Sequence, residues 1–163
     1  MKTSIPYRHL LLVVLLFPLF IHAEGGGPIT ANVPLNEVGV RAYRYFHKEW
    51  RSVTDEVWYK TDGGFVANFS TPTCLVKTFF NSRGVFLYSL KYYAGKDISA
   101  DMGAMLRNTY PSYRIKVVTE VYGLGKTAYY VTMENSTLVR TLSIIDGKME
   151  VIGELTISLP SGL

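Results

Sequence analysis

Apolar positions along the chain recur at two spacings, one helical and one that of strands. From Glu37 to about Trp50, Val38, Ala42, Tyr45, Phe46 and Trp50 fall near a helical repeat, leaving Arg41, Arg44, Lys48 and Glu49 for water. Asn36 is placed to cap the free amides of the first turn, which Gly39 weakens. From Asp55 the period falls to two. Glu56 to Tyr59, the turn Thr61 to Gly64, and Phe65 to Phe69 predict an antiparallel hairpin, ended at Thr71-Pro72-Thr73 because Pro offers the ladder no donor. Cys74 to Phe80 and Val85 to Tyr93 predict a second hairpin around Asn81-Ser82-Arg83-Gly84.

The pattern then repeats. A second helix starts after Ser99, a good N-cap, with Asp101 at the positive end of its dipole. Ile98 is placed to staple onto the first turn. Met102, Met105, Leu106 and Tyr110 form the apolar stripe, and Pro111 ends the helix. Four strands follow, Tyr113 to Tyr122, Lys126 to Met133, Thr137 to Ile145 and Lys148 to Ile157; the last pair is joined by Asp146-Gly147, the preferred two-residue hairpin signal. Gly84 and Gly147 stand sixty-three residues apart, as do Thr78 and Thr141, Lys77 and Arg140, and Trp58 and Val121. The expected fold class is α+β: two tandem copies of a helix plus four-stranded antiparallel unit, about 36–94 and 97–158, forming an antiparallel sheet with helices on one face. Drift between the copies is expected at the turns, since Thr61 to Gly64 reads longer than Gly123 to Gly125.

Aligning the copies at that offset assigns Trp58, Phe86, Leu90, Val121, Met149, Val151 and Leu155 to the core face of the sheet. It assigns Tyr59, Lys77, Tyr93, Tyr122, Tyr130 and Arg140 to the other face. Tyr and Arg suit interface centres, so these six form a candidate partner-binding face; strand propensity alone also favours Tyr on solvent-facing strands.

The N-terminus changes the picture. Lys2 and Arg8 precede an apolar run from Leu10 to Ile21, then Ala23 and a Gly-rich stretch, which is the pattern of a secretory signal peptide over residues 1–23. Residues 24–35 read as a flexible leader and 36–158 as the folded domain. Removing Lys2 and Arg8 from seventeen basic residues leaves fifteen against thirteen acids, so the formal charge falls from +4 to +2. The basic residues are dispersed, which excludes a nucleic-acid footprint. The single cysteine, Cys74, excludes an internal disulfide and a lipoprotein anchor at the cleavage site, and it reads as a small buried hydrophobe.

The stretch ISADMGAMLRNTYPSYRIKVVTEVYGLGKTAYYVTME, Ile98 to Glu134, carries a family signature: an amphipathic helix ending in Tyr-Pro, an Ile-x-Val strand, a Gly turn and an aromatic-rich strand, completed by IIDGKM. It resembles the PepSY-like family, whose fold is similar to that of the beta-lactamase inhibitor protein. The resemblance covers roughly Glu37 to Leu155 and implies an exported bacterial protein. It implies no inhibitor activity, because no reactive inhibitor loop is recognisable.

Catalytic chemistry is not visible in the residues. His47 is the one histidine after residue 23 and has no nucleophile-elbow partner, and Asp55, Glu56, Asp97 and Asp101 lack a calcium-loop spacing. No cofactor and no metal site are expected. Asn68-Phe69-Ser70 and Asn135-Ser136-Thr137 fit the glycosylation pattern accidentally. The sequence therefore points to a periplasmic or secreted, non-enzymatic binding protein, a protein-interaction or inhibitor-like module whose partner is another envelope or secreted protein. The alternative is a carrier or sensor of a small apolar ligand held between helices and sheet, lined by Trp58, Phe86, Met102 and Met105.

Overall fold

A computed structural model describes residues 32–157. The expected signal peptide, 1–23, and residues 24–31 of the expected leader lie outside the described residues. The two helices are α1 (Val40–Glu49) and α2 (Ala100–Thr109), each preceded by a short 3-10 turn, Leu35–Glu37 and Gly95–Asp97. The strands are β1 (Val57–Thr61), β2 (Gly64–Ser70), β3 (Cys74–Asn81), β4 (Phe86–Ala94), β5 (Arg114–Gly123), β6 (Lys126–Glu134), β7 (Leu138–Ile145) and β8 (Lys148–Thr156). They pair in chain order as one eight-stranded antiparallel sheet. Two helices, each followed by four antiparallel strands, give the expected tandem α+β architecture.

Each helix buries its stripe on its own four strands. Under α1, Ala42 and Phe46 pack with Trp58, Ala67, Phe69, Val76 and Phe80; under α2, Leu106 packs with Val118, Val131, Met133, Leu142 and Ile144. Directly paired strand residues share a face. Every strand residue of both cores lies on one face, so both helices cover the same side.

The helix boundaries show how local chemistry decides. Ser99 Oγ accepts the Met102 amide at 3.4 Å and caps α2. Asn36 makes no such cap: it sits in the 3-10 turn, and α1 starts three residues later than its apolar pattern suggests, with Gly39 as N-cap. Val38 is buried ahead of the cap, so its place in the core comes from the 3-10 turn rather than from the helix. Residues 32 and 33, expected as leader, run along the edge: Asn32 bridges Tyr59, and the Val33 amide donates to the Trp58 carbonyl at 3.0 Å.

The repeat is real but its offset drifts. The N-cap and C-cap pairs Gly39/Ser99 and Trp50/Tyr110 are sixty apart. The first hairpins are sixty-two apart, since Thr61 pairs with Gly64 and Gly123 with Lys126. The next turns are sixty-four apart. There Thr71 Oγ1 accepts the Cys74 amide at 3.0 Å, and Asn135 Oδ1 accepts the Leu138 amide at 2.8 Å. That employment of Asn135 accounts for its presence in a turn. The β3–β4 loop, closed by Asn81 and Val85, holds one residue more than Asp146-Gly147, which returns the glycines to sixty-three. Both first-hairpin loops have two residues, so the drift expected there arises instead in the linkers and in strand length.

Candidate binding faces

The register places the six sequence-derived residues on two faces. Reading one row across the sheet, Val57, Asn68, Lys77, Leu90, Val121, Ala128, Ile145 and Lys148 pair in succession. This row, with Tyr59, Phe79, Tyr88, Tyr92 and Tyr130, belongs to the face opposite the helices. Tyr59, Lys77 and Tyr130 are thus together on that face. Tyr93, Tyr122 and Arg140 are on the helix side. Leu90, Val121 and Leu155, assigned to the core face from sequence, lie on the face opposite the helices, while Trp58, Phe86, Met149 and Val151 are on the helix side.

The three displaced residues have local reasons for their places. Arg140 donates from Nε to Glu154 at 2.6 Å, and its guanidinium carbon lies 5.2 Å and 4.9 Å from the Tyr110 and Tyr113 ring centroids at the end of α2. Tyr122, 42% exposed, stands 6.2 Å from Phe86 ring to ring. Tyr93 packs at the margin of the second core.

The face without a described helix is aromatic and apolar at its centre. Phe79 stacks on Tyr88 with centroids 4.4 Å apart, and Lys77 Nζ is 5.9 Å from the Tyr92 ring centroid. Leu90, Val121, Ala128 and Tyr130 are buried, while Leu75 and Val117 toward the rim stay exposed. Burial raises the Tyr88, Tyr92 and Tyr130 hydroxyls above the usual phenol range, Tyr92 to about 12. The Tyr92 and Tyr130 hydroxyls and Asn68 Oδ1 are buried with no hydrogen-bond partner among the described residues.

On the helix side the two cores do not merge. Along the row Phe69, Val76, Lys91, Glu120, Tyr129, Ile144, Met149, the apolar run is interrupted on β4 and β5, where Lys91 Nζ meets Glu120 at 2.8 Å. Ser89 and Tyr122 continue this polar seam. A cleft of about 420 Å³ opens there, between the C-cap of α1 and the N-cap of α2. Cys74, expected as a buried hydrophobe, is half-buried on its wall, with Sγ 3.1 Å from Thr71 Oγ1. Trp58 and Phe86 belong to the first core, and Met102 and Met105 to the second, so the four residues of the apolar-carrier expectation do not line one space.

His47 proves to have a partner that the sequence did not reveal. Its Nε2 lies 3.0 Å from Glu56 Oε1 without hydrogen-bond alignment, and the Glu56 side chain is only 5% exposed. Among the described residues no three His, Cys, Asp or Glu side chains converge as metal ligands.

No protein-family model and no curated protein matches the sequence. Solved structures do match. A DUF2874 family protein from Bacteroides ovatus superposes with a TM-score of 0.57 at 15% identity, over 77% of this chain and 89% of that one. A BLIP-like protein from Bacteroides fragilis gives 0.57 at 12% identity, over 80% and 92%. A Bacteroides eggerthii protein provisionally assigned to the periplasm gives 0.54 at 11%, over 74% and 89%. At these identities what this chain shares with the DUF2874 and BLIP-like proteins is the fold alone.

Proposed function

We propose that this is an exported, non-enzymatic binding protein of the bacterial envelope, periplasmic or secreted, which captures a protein partner on the sheet face opposite its helices. One observation carries the reading. A strand face left to water alternates to polar residues, whereas this one carries Leu75, Phe79, Tyr88, Leu90, Tyr92, Val121 and Tyr130, with Leu75 exposed at the rim and Leu90, Val121 and Tyr130 buried. Tyr supplies large amphipathic contact area at small entropy cost. Among the described residues Asn68 Oδ1 and the Tyr92 and Tyr130 hydroxyls have no hydrogen-bond partner, and a buried polar group left unsatisfied costs about 1–3 kcal/mol. The signal-like pattern of residues 1–23, the PepSY-like resemblance and the BLIP-like fold support an exported, inhibitor-like interaction module.

The test is capture from periplasmic extract with residues 24–163 as bait. Leu75→Glu, at an exposed position of that face, and Lys77→Glu should abolish retention of a specific envelope protein while the circular dichroism melt stays cooperative. Tyr122→Ala, on the helix side, should retain it. Loss with Tyr122→Ala alone would refute the assignment of the face.

A further inference from the structure

We propose that the cleft between the two helices binds a small zwitterion of the α-amino-acid type, its carboxylate toward Lys91 and the first turn of α2 and its ammonium toward Glu120 and Asp97. The site is separate from the protein-binding face, on the other side of the sheet. Its lining brings together Trp50, Lys91, Tyr93, Asp97, Glu120 and Tyr129. Both charge signs are present. Lys91 and Glu120 are 2.8 Å apart with side chains 32% and 18% exposed, so each is partly desolvated yet reachable. Asp97 has no ion-pair partner among the described residues, which leaves the lining one negative charge in excess on the side that would take an ammonium.

The position in the fold strengthens the case. The same row is apolar at Val76 on one side of the pair and at Ile144, beyond Tyr129, on the other, so the charges stand where the sheet could have joined its two cores. A partly buried ion pair costs more desolvation than it returns unless each charge keeps a partner. A zwitterion exchanges partners rather than removing them: Lys91 passes from Glu120 to the ligand carboxylate, and Glu120 from Lys91 to the ligand ammonium. The N-cap of α2, Ser99, also lines the cleft, so the positive end of a ten-residue helix opens toward the carboxylate. Burial and Glu120 raise the Tyr93 and Tyr129 hydroxyls above the ordinary phenol range, which keeps them protonated donors. Trp50 and the two tyrosine rings supply flat apolar walls, and about 420 Å³ is within the range that small ligands occupy. The favoured ligand therefore carries an apolar or aromatic side chain.

Trp50 provides the readout, because the second tryptophan of the chain, Trp58, is 1% exposed in the first core and away from the cleft. The purified chain is titrated with each common amino acid, following tryptophan fluorescence and isothermal heat. Saturable binding is expected below about 10 mM, strongest for phenylalanine and leucine. Phenethylamine and phenylpropionate, which each keep one charge, should bind at least about tenfold more weakly than phenylalanine. The near-isosteric double variant Lys91→Met/Glu120→Gln should lose about tenfold or more in affinity while keeping its circular dichroism melt. If it fails to fold, Asp97→Asn, at the exposed 3-10 turn, takes its place and should weaken binding in the same direction. No saturable signal with any amino acid, equal affinity for the one-charge analogues, or unchanged affinity in the folded variant overturns the proposal.

Discussion

Gly84 and Gly147 occupy equivalent hairpin tips and share a left-handed backbone, with φ of 70° and 77°, yet their surroundings differ. A Cβ added at Gly147 meets nothing within 4 Å. One added at Gly84 meets the Ala42 backbone nitrogen at 2.9 Å and Arg41 Cβ at 3.2 Å, in the first turn of α1. Gly147→Ala carries only the left-handed penalty of an L-residue, about 1 kcal/mol. Gly84→Ala carries the same penalty plus the displacement of helix backbone from a close-packed contact, a further ~2 kcal/mol. With a urea slope of about 1.5 kcal/mol/M, the two variants should differ in unfolding midpoint by about 1.3 M. Equilibrium urea denaturation followed by circular dichroism measures this directly. Amide exchange should accelerate in α1 for the Gly84 variant and nowhere near α2 for the other. Midpoints coinciding within about 0.3 M would refute the claim that the β3–β4 tip seats α1.

Two more predictions concern buried polar groups. His47→Ala removes the imidazole that lies 3.0 Å from the buried Glu56 side chain and should destabilise by about 1–2 kcal/mol, discounted because the His47 side chain is 28% exposed. Adding Glu56→Gln should recover part of that loss in thermal melts; strictly additive effects would refute the coupling. The second prediction concerns alkali. Tyr45, Tyr88, Tyr92, Tyr93, Tyr129 and Tyr130 all have folded-state pKa values raised above 10.0, chiefly by burial. Above that pH the unfolded chain releases protons that the folded chain retains, so stability is intact below pH 10 and falls as pH rises through 10–12. Tyrosinate absorbance that appears before the unfolding transition, rather than with it, would contradict this.

Strand period, turn chemistry and capping made most of the fold legible. Asp146-Gly147 adopts the doubly positive φ its sequence calls for, and Ser99 caps α2. Faces were less legible, because side chains alternate with a period of two and an error of one residue in the repeat offset inverts them. At sixty-three, Trp58 matched Val121 and Lys77 matched Arg140. The structural offsets of sixty-two and sixty-four match Tyr59 with Val121 and Val76 with Arg140, so Val121 and Arg140 exchange faces. The two-residue loop Leu124-Gly125 hid in the same way, since Leu at a φ of 53° is a poor turn signal. The contact of Glu56 with His47 was not legible, because the two side chains lie on different elements.

The polar seam also divides the molecule mechanically. Between the halves the helix side offers a charge pair and hydroxyls instead of interlocking hydrocarbon, so on that side continuity rests on the β4–β5 ladder and on the linker at Gly95, where an added Cβ would lie 2.3 Å from the Ile115 carbonyl oxygen, while buried Leu90 and Val121 join the halves on the opposite face. Each half owns a core on the helix side. The chain is in effect a tethered dimer of two four-stranded sheets, and a nick between Ala94 and Ile98 leaves two fragments whose natural reassembly route is strand complementation along that one ladder.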